Sequence, residues 1–171
     1  MKNLSNKGYK ILKLIHILSA SIWIGSGVVV LFLLTFVLNK NNLSEIILAV
    51  HYIDLLIIIP SNILTFITGI IFSTFTNWKF FKHKWIMLKY CINVVPMILG
   101  GIIFVPSIFN MFSIIKIMGE NAIVDISFIK SKNIFIASLV IILAILLMAV
   151  CLTVFKPKLK VQRNNRQFSV I

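Results

Sequence analysis

The chain has 171 residues, of which 60% are hydrophobic and only 12% carry a charge. A soluble domain of this length usually carries about 25% charged residues, so this chain cannot cover its apolar surface with polar side chains. The composition therefore excludes a soluble globular protein and indicates an integral membrane protein.

Four uninterrupted apolar segments are each long enough to cross a bilayer. They cover residues 14–39, 55–78, 90–115 and 133–155, and none of them contains Asp, Glu, Lys or Arg. Each exceeds the ~20 residues that an α-helix needs to cross a ~30 Å hydrocarbon core. Inside lipid the backbone must satisfy its own hydrogen bonds, which favours helices, and the period-2 alternation of a membrane barrel is absent.

The predicted fold is all-α, a polytopic bundle of four transmembrane helices that forms a single membrane domain over 1–171. The helices are predicted at about 10–38, 44–76, 84–109 and 133–155, and a basic tail follows at 156–171. The longest connection, 110–132, mixes apolar with charged residues and is expected outside the membrane, partly flat at its surface.

The positive charges are distributed unequally between the two sides of this bundle. One side, made of the N-terminus, the second loop with its helix edge, and the tail, carries thirteen basic residues and no acid. They are Lys2, Lys7, Lys10, Lys13, Lys79, Lys82, Lys84, Lys89, Lys156, Lys158, Lys160, Arg163 and Arg166. The positive-inside rule predicts that both termini lie in the cytoplasm. We expect this basic face to contact anionic lipid headgroups and not nucleic acid.

Polar and small residues recur at helical spacing inside the apolar segments. Helix 1 carries His16, Ser19, Trp23 and Gly27 on one face. The polar seam predicted between helices 1, 2 and 3 further includes His51, Asp54, Thr65, Thr68 and Asn93. Because lipid offers polar groups no partners, these faces should point at one another, with helix 4 packed outside. The seam either holds the helices together or forms a ligand or ion site.

Two seam-side residues, His16 and Lys89, are predicted at similar depth near the cytoplasmic ends of helices 1 and 3. A neutral histidine can ligate a metal or a haem iron. A lysine at this depth could ligate when deprotonated or neutralise an anionic group. The alternatives are a hydrogen bond from His16 to a neighbouring helix and extension of the Lys89 ammonium into the headgroups.

A second ionisable pair, His51 and Asp54, is one helical turn apart and is expected near the outer boundary of helix 2. Such a pair is typical of a proton or cation site, and equally of an interfacial pair satisfied by water. Zinc-spaced Cys/His clusters, a glycine-rich phosphate loop and a nucleophile elbow are absent from the sequence. The residues therefore favour a non-catalytic protein, associated with a membrane partner or with copies of itself.

Several sequence elements occur together in a familiar order. They are the stretch from Lys13 to Gly25, Asp54 with Pro60, Thr68-Gly69, the stretch from Thr76 to Trp85 with Lys89, and Pro106. Over Lys10 to Pro106 their order and spacing resemble bacterial predicted membrane proteins of the domain-of-unknown-function 2269 kind. The resemblance implies a multi-pass protein of the bacterial cytoplasmic membrane.

A looser similarity links the chain to the copper-resistance protein D family and to HemJ-type four-helix oxidases, which bind haem b. The residues that match the oxidase pattern are His16, Trp23, Gly25, Trp85 and Lys89. This similarity implies a haem b site with His16 and Lys89 as iron ligands and Trp23 nearby. The segment 31–38 is apolar where the oxidases have aromatic residues and arginine, which argues against the oxidase reaction. Haem b binding and copper or proton handling remain the two alternatives to a non-catalytic role.

Overall fold

The computed structural model describes residues 5–75 and 84–155, with the backbone alone for Ser73 and for 84–91. The described residues form the helices α1 (Asn6–Phe32), α2 (Leu43–Ile53), α3 (Ile59–Phe75), α4 (Lys84–Leu99), α5 (Val105–Met118) and α6 (Ile126–Phe155). Wider π-helical turns lie at Leu33–Val37, Asp54–Ile58 and Gly100–Phe104, and 3₁₀ turns at Lys40–Asn42 and Gly119–Val124.

The π turns continue the helices without a break, so α2 runs into α3 and α4 runs into α5. Four long apolar segments result among the described residues: span 1 (Asn6–Val37), span 2 (Lys40–Phe72), span 3 (Ile92–Val124) and span 4 (Ile126–Phe155). Each is long enough to cross a hydrocarbon core. The prediction of an all-α protein with four membrane-spanning helices is confirmed.

The third and fourth helices run further than the sequence-based bounds of 84–109 and 133–155. The residues predicted to form a long connection are mostly helical, because α5 continues to Met118 and α6 begins at Ile126. Their apolar face is used for packing: Met111 and Phe128 are both fully buried. A hydrogen bond of 2.6 Å from Asn110 to the Ser131 hydroxyl joins the two helices in the same region.

The start of α6 is fixed by a side-chain cap. The Asp125 carboxylate accepts hydrogen bonds from the backbone N–H groups of Ser127 and Phe128, at 2.8 and 3.0 Å. These are two of the donors that a helix N-terminus leaves without an intrahelical partner. Asp125 thus marks the start of α6, and the lysines of the same segment, Lys116, Lys130 and Lys132, lie within helices.

Two close contacts tie span 4 to its neighbours. Phe104 of span 3 stacks on Phe135, with ring centroids 4.3 Å apart. Gly27 of α1 faces Leu143 so closely that a Cβ added at the glycine would lie 3.0 Å from the Leu143 Cδ2 atom. Small residues let transmembrane backbones approach in this way, and dispersion contacts then hold the helices together.

Candidate functional site

Polar side chains of α1 and α3 face each other along the helices and form hydrogen bonds. His16 Nδ1 lies 2.8 Å from Thr68 Oγ1, and Thr65 Oγ1 lies 2.9 Å from Ser19 Oγ. Ser19, Thr65 and Thr68 are all buried. The polar stripes predicted on helices 1 and 2 therefore do meet, as a ladder of paired hydroxyl and imidazole groups.

The Thr68 hydroxyl has three hydrogen-bond partners within reach. It lies 2.7 Å from the Leu64 carbonyl oxygen and 3.0 Å from the Thr65 carbonyl oxygen, and it can donate to either of them. When it donates to a carbonyl it accepts from His16 Nδ1–H, so the direction of the interhelical bond follows the tautomer of the imidazole. The imidazole also packs edge-on against Phe72, with centroids 5.8 Å apart, and lies beside Gly69.

A cavity of about 230 Å³ lies between the four spans. Its polar lining consists of Trp23, Asp54 and Asn62, and its remaining walls come from glycine, proline and apolar side chains. Span 4 contributes only apolar groups: Leu139, Ile142, Leu143 and Leu146. The helix that the sequence places outside the polar seam thus forms the apolar wall of this cavity.

The cavity lies deep in the bundle. Asp54 is close to residue 56, the midpoint of span 2, although the sequence-based expectation placed it near the outer boundary. The difference arises because the helical span begins at Lys40, before the segment free of charged residues starts at 55. At ~1.5 Å per residue, Asp54 is roughly 21 Å from the Lys40 end of the span and roughly 27 Å from the Phe72 end.

Two hydrogen-bond acceptors in the cavity wall have no donor among the residues that the structure describes. Asp54 and Asn62 are 8% and 9% exposed, respectively. The Asn62 Oδ1 atom is buried and has no hydrogen-bond partner among these residues. Within the described part of the chain, no hydrogen bond or ion pair reaches the Asp54 carboxyl. Buried acceptors are normally satisfied, so both atoms mark a place where a donor or cation would be stabilised.

A π turn brings these two acceptors to one face of span 2. Residues eight apart in a regular α-helix point about 80° away from each other. The π turn Asp54–Ile58 adds one residue to its turn, which reduces the angle to about 20°. In this turn the N–H of Ile59 donates to the Asp54 carbonyl, five residues back. Asn62 is not among the predicted seam residues, because regular helical spacing places it on a different face from Asp54.

Proline explains the position of two of the three π turns in the described residues. The turn Asp54–Ile58 ends two residues before Pro60, and the turn Gly100–Phe104 ends two residues before Pro106. A proline inside a helix clashes with the carbonyl four residues earlier and offers it no N–H. A π turn just before the proline relieves this conflict, because it redirects the local hydrogen bonds. Pro60 was therefore the signal in the sequence that could have pointed to Asn62.

The other predicted site residues are not gathered at one place. Trp23 lines the cavity with Asp54, whereas His16 does not. His51 lies close enough to Asp54 to interact with it electrostatically, and its ring packs against Phe112, with centroids 5.7 Å apart. Asn93 is half-buried on α4. The Lys89 side chain, like that of Trp85, and the tail 156–171 lie outside the described residues.

Metal and haem ligation depend on which side chains come together. Among the side chains that the structure describes in residues 5–75 and 92–155, no three His, Cys, Asp or Glu residues are grouped so that they could hold a metal ion. His16 Nδ1 faces the Thr68 hydroxyl, and the Lys89 side chain lies outside the described residues. His16 and Lys89 as haem ligands therefore stay a prediction.

Comparison with known proteins gives one match. No similar curated protein and no similar solved structure was found. The family model described as "Predicted integral membrane protein", domain of unknown function 2269, matches residues 10–157. That match takes in most of spans 1 to 4 and thus extends beyond the region of sequence resemblance. The similarities to copper-resistance protein D and to HemJ-type oxidases stay predictions. The chain belongs to the domain-of-unknown-function 2269 family of predicted integral membrane proteins.

Proposed function

We propose that this protein handles protons across the membrane through a site centred on Asp54. The observation that carries the proposal is a carboxyl that is 8% exposed, lines a cavity and has no hydrogen-bond donor among the described residues. An ionised carboxylate deep in a membrane is costly unless a cation or a proton offsets its charge. Such residues are typical of proton and ion pathways.

The ladder between α1 and α3 supports a route from this carboxyl toward one membrane surface. His16 pairs with Thr68, and Ser19 pairs with Thr65 one turn nearer the cavity. Thr68 is fourteen positions from Asp54, which is roughly 20 Å along a helix. Imidazole and hydroxyl groups both donate and accept protons, so a chain of them linked by water suits proton transfer.

The orientation that we propose places both termini in the cytoplasm of a bacterial cell, with the chain in the cytoplasmic membrane. Four spans bring the two termini to the same side, and the positive-inside rule favours the cytoplasm for the segments that carry the thirteen basic residues of the sequence. We further propose that residues 1–171 are a single membrane domain whose basic tail, 156–171, contacts anionic headgroups. The role is non-enzymatic, and a membrane partner or a second copy would sit against the apolar outer faces.

The test uses purified protein in liposomes that contain a pH-sensitive dye, with a proton gradient imposed from outside. We expect the wild-type protein to collapse the gradient faster than empty liposomes. Asp54→Asn, which keeps the shape but cannot ionise, should reduce the rate to that of empty liposomes. Glu45→Gln removes an exposed carboxylate from the same span and should leave the rate unchanged.

The outcome that would overturn the proposal is equal proton flux in the wild-type protein and in the Asp54→Asn variant. Far-UV circular dichroism and size-exclusion chromatography of both variants establish that they fold as the wild type does. A visible absorption spectrum of the same preparations tests the haem alternative, since bound haem b gives a Soret band that His16→Ala would remove.

A further inference from the structure

We propose that the central cavity binds a lipophilic ammonium compound, with its charged head between Asp54 and Asn62. This inference rests on the proposed function in that it takes Asp54 as the cation-binding carboxyl. It goes further because it assigns the cavity to an organic ligand and gives Asn62 a role in recognising it.

The polar lining of the cavity determines the charge and donor pattern of this ligand. The Asp54 carboxylate accepts hydrogen bonds only, and the unpartnered atom of Asn62 is its carbonyl oxygen. A primary ammonium group has three donors and no acceptor, so it can satisfy both atoms at once. The Asp54 carboxylate would repel an anion. A neutral hydroxyl group could donate a hydrogen bond but would bring no positive charge to the carboxylate.

Aromatic rings in the wall add to the preference for a cation. Trp23 and Phe104 both line the cavity and are 4% and 5% exposed, respectively. The ring faces of such side chains attract cations, and the effect strengthens away from water. The apolar residues of span 4 opposite them would pack against a hydrocarbon body of the ligand.

The position of the cavity mouth indicates how the ligand enters. Ile59 and Ile63 of α3 and Met97 and Val105 of span 3 line the cavity and are also about 40% exposed at the protein surface. The mouth therefore opens between spans 2 and 3, on a side that faces lipid in a membrane-embedded bundle. A ligand with an apolar body can reach it from the bilayer, whereas a small inorganic ion has no such route.

The test measures ligand binding to the full chain in detergent by isothermal titration calorimetry at neutral pH. The probe is 2-phenylethylammonium, and propylbenzene is its neutral counterpart of the same shape. We expect the ammonium compound to bind at least tenfold more tightly than propylbenzene. Asp54→Asn should abolish this preference, and Asn62→Leu should weaken ammonium binding about tenfold. Asn41→Leu removes an exposed amide outside the cavity and should leave binding unchanged.

Three results would overturn the inference: equal binding of propylbenzene, ammonium binding that survives Asp54→Asn, or no binding at all. If the wild type fails to bind the ammonium probe but its proton flux depends on Asp54, the inference fails and the proposed function stands. If the probe binds through Asp54 and Asn62 but the liposomes show no proton flux, the proposed function fails and the ligand site stands. If Asp54→Asn does not fold, the Asn62→Leu variant provides the test. Weaker ammonium binding in this variant supports the inference, and unchanged binding overturns it.

Discussion

Asp54 and Asn62 line the same cavity although eight positions separate them in span 2. The π turn that begins at Asp54 makes this possible, because its additional residue rotates the two side chains toward one face. The relationship links a backbone irregularity to the carboxyl on which the proposed proton handling depends and to the amide oxygen that the ligand proposal adds. It also leads to a prediction about deletions within the span.

Deletion of Leu56 from the π turn should be tolerated. This residue is 65% exposed and lies within the widened turn, so its loss returns the turn to α-helical geometry. The helix on either side keeps its phase, and the pairs between α1 and α3 are retained. We expect a folded, monodisperse protein in detergent, measured by size-exclusion chromatography and circular dichroism.

A matched deletion of Leu64 provides the control. This residue is also exposed but lies in regular α-helix, so its loss rotates everything after it by about 100°. Thr65 and Thr68 would turn away from α1, and the protein should lose its fold. Equal damage from the two deletions would contradict the assignment of the π turn.

Replacing Thr68 by valine should destabilise the bundle by about 1 kcal/mol. The substitution keeps the shape of the side chain but removes the acceptor that lies 2.8 Å from His16 Nδ1. An interhelical hydrogen bond in a membrane protein has a modest net value, because the unfolded chain also finds partners. Unfolding by sodium dodecyl sulfate in mixed micelles measures the change.

Thr74→Val is the control for this variant. The Thr74 hydroxyl donates only to the carbonyls of Ile70 and Ile71 within its own helix, at 3.0 and 3.2 Å. Its loss should therefore change the free energy of unfolding much less than loss of the Thr68 hydroxyl. The same change in both variants would show that the His16 contact adds nothing to stability.

Replacing Gly27 by valine should cost about 1–3 kcal/mol of stability. The added Cβ would already lie 3.0 Å from Leu143, and the branched side chain would force α1 and α6 apart. Gly25→Val is the matched control, because no atom lies within 4 Å of a Cβ added at that position. The measurement is again unfolding in mixed micelles.

A double variant tests the contact itself. Leu143→Ala removes the methyl group that a side chain at position 27 would meet, so it should recover part of the stability lost by Gly27→Val. Additive losses in Gly27→Val with Leu143→Ala would contradict a direct contact between the two positions.

The number of spans, their helical character and the family could all be predicted from the residues alone. The first two are properties of each segment taken separately. Inside lipid the backbone groups must pair within the helix, and the length of the apolar segment must match the thickness of the bilayer. The sequence also placed His16, Thr65 and Thr68 on facing stripes, because regular helical spacing holds along α1 and α3. It ended the third helix too early, because the charges after 109 masked the packing of Met111 and Phe128.

Which polar residues share a site depends on the packing of the helices and could not be predicted from the residues alone. In a regular α-helix the side chains of Asp54 and Asn62 would point in different directions around the helix axis. The π turn before Pro60 brings them to nearly the same direction. The apolar wall from span 4 and the depth of Asp54 likewise depend on how four helices pack around one cavity. The pattern of apolar residues along one segment indicates whether that segment lies in lipid or in water. The rotation of one helix relative to its neighbour depends on the contacts between the two helices.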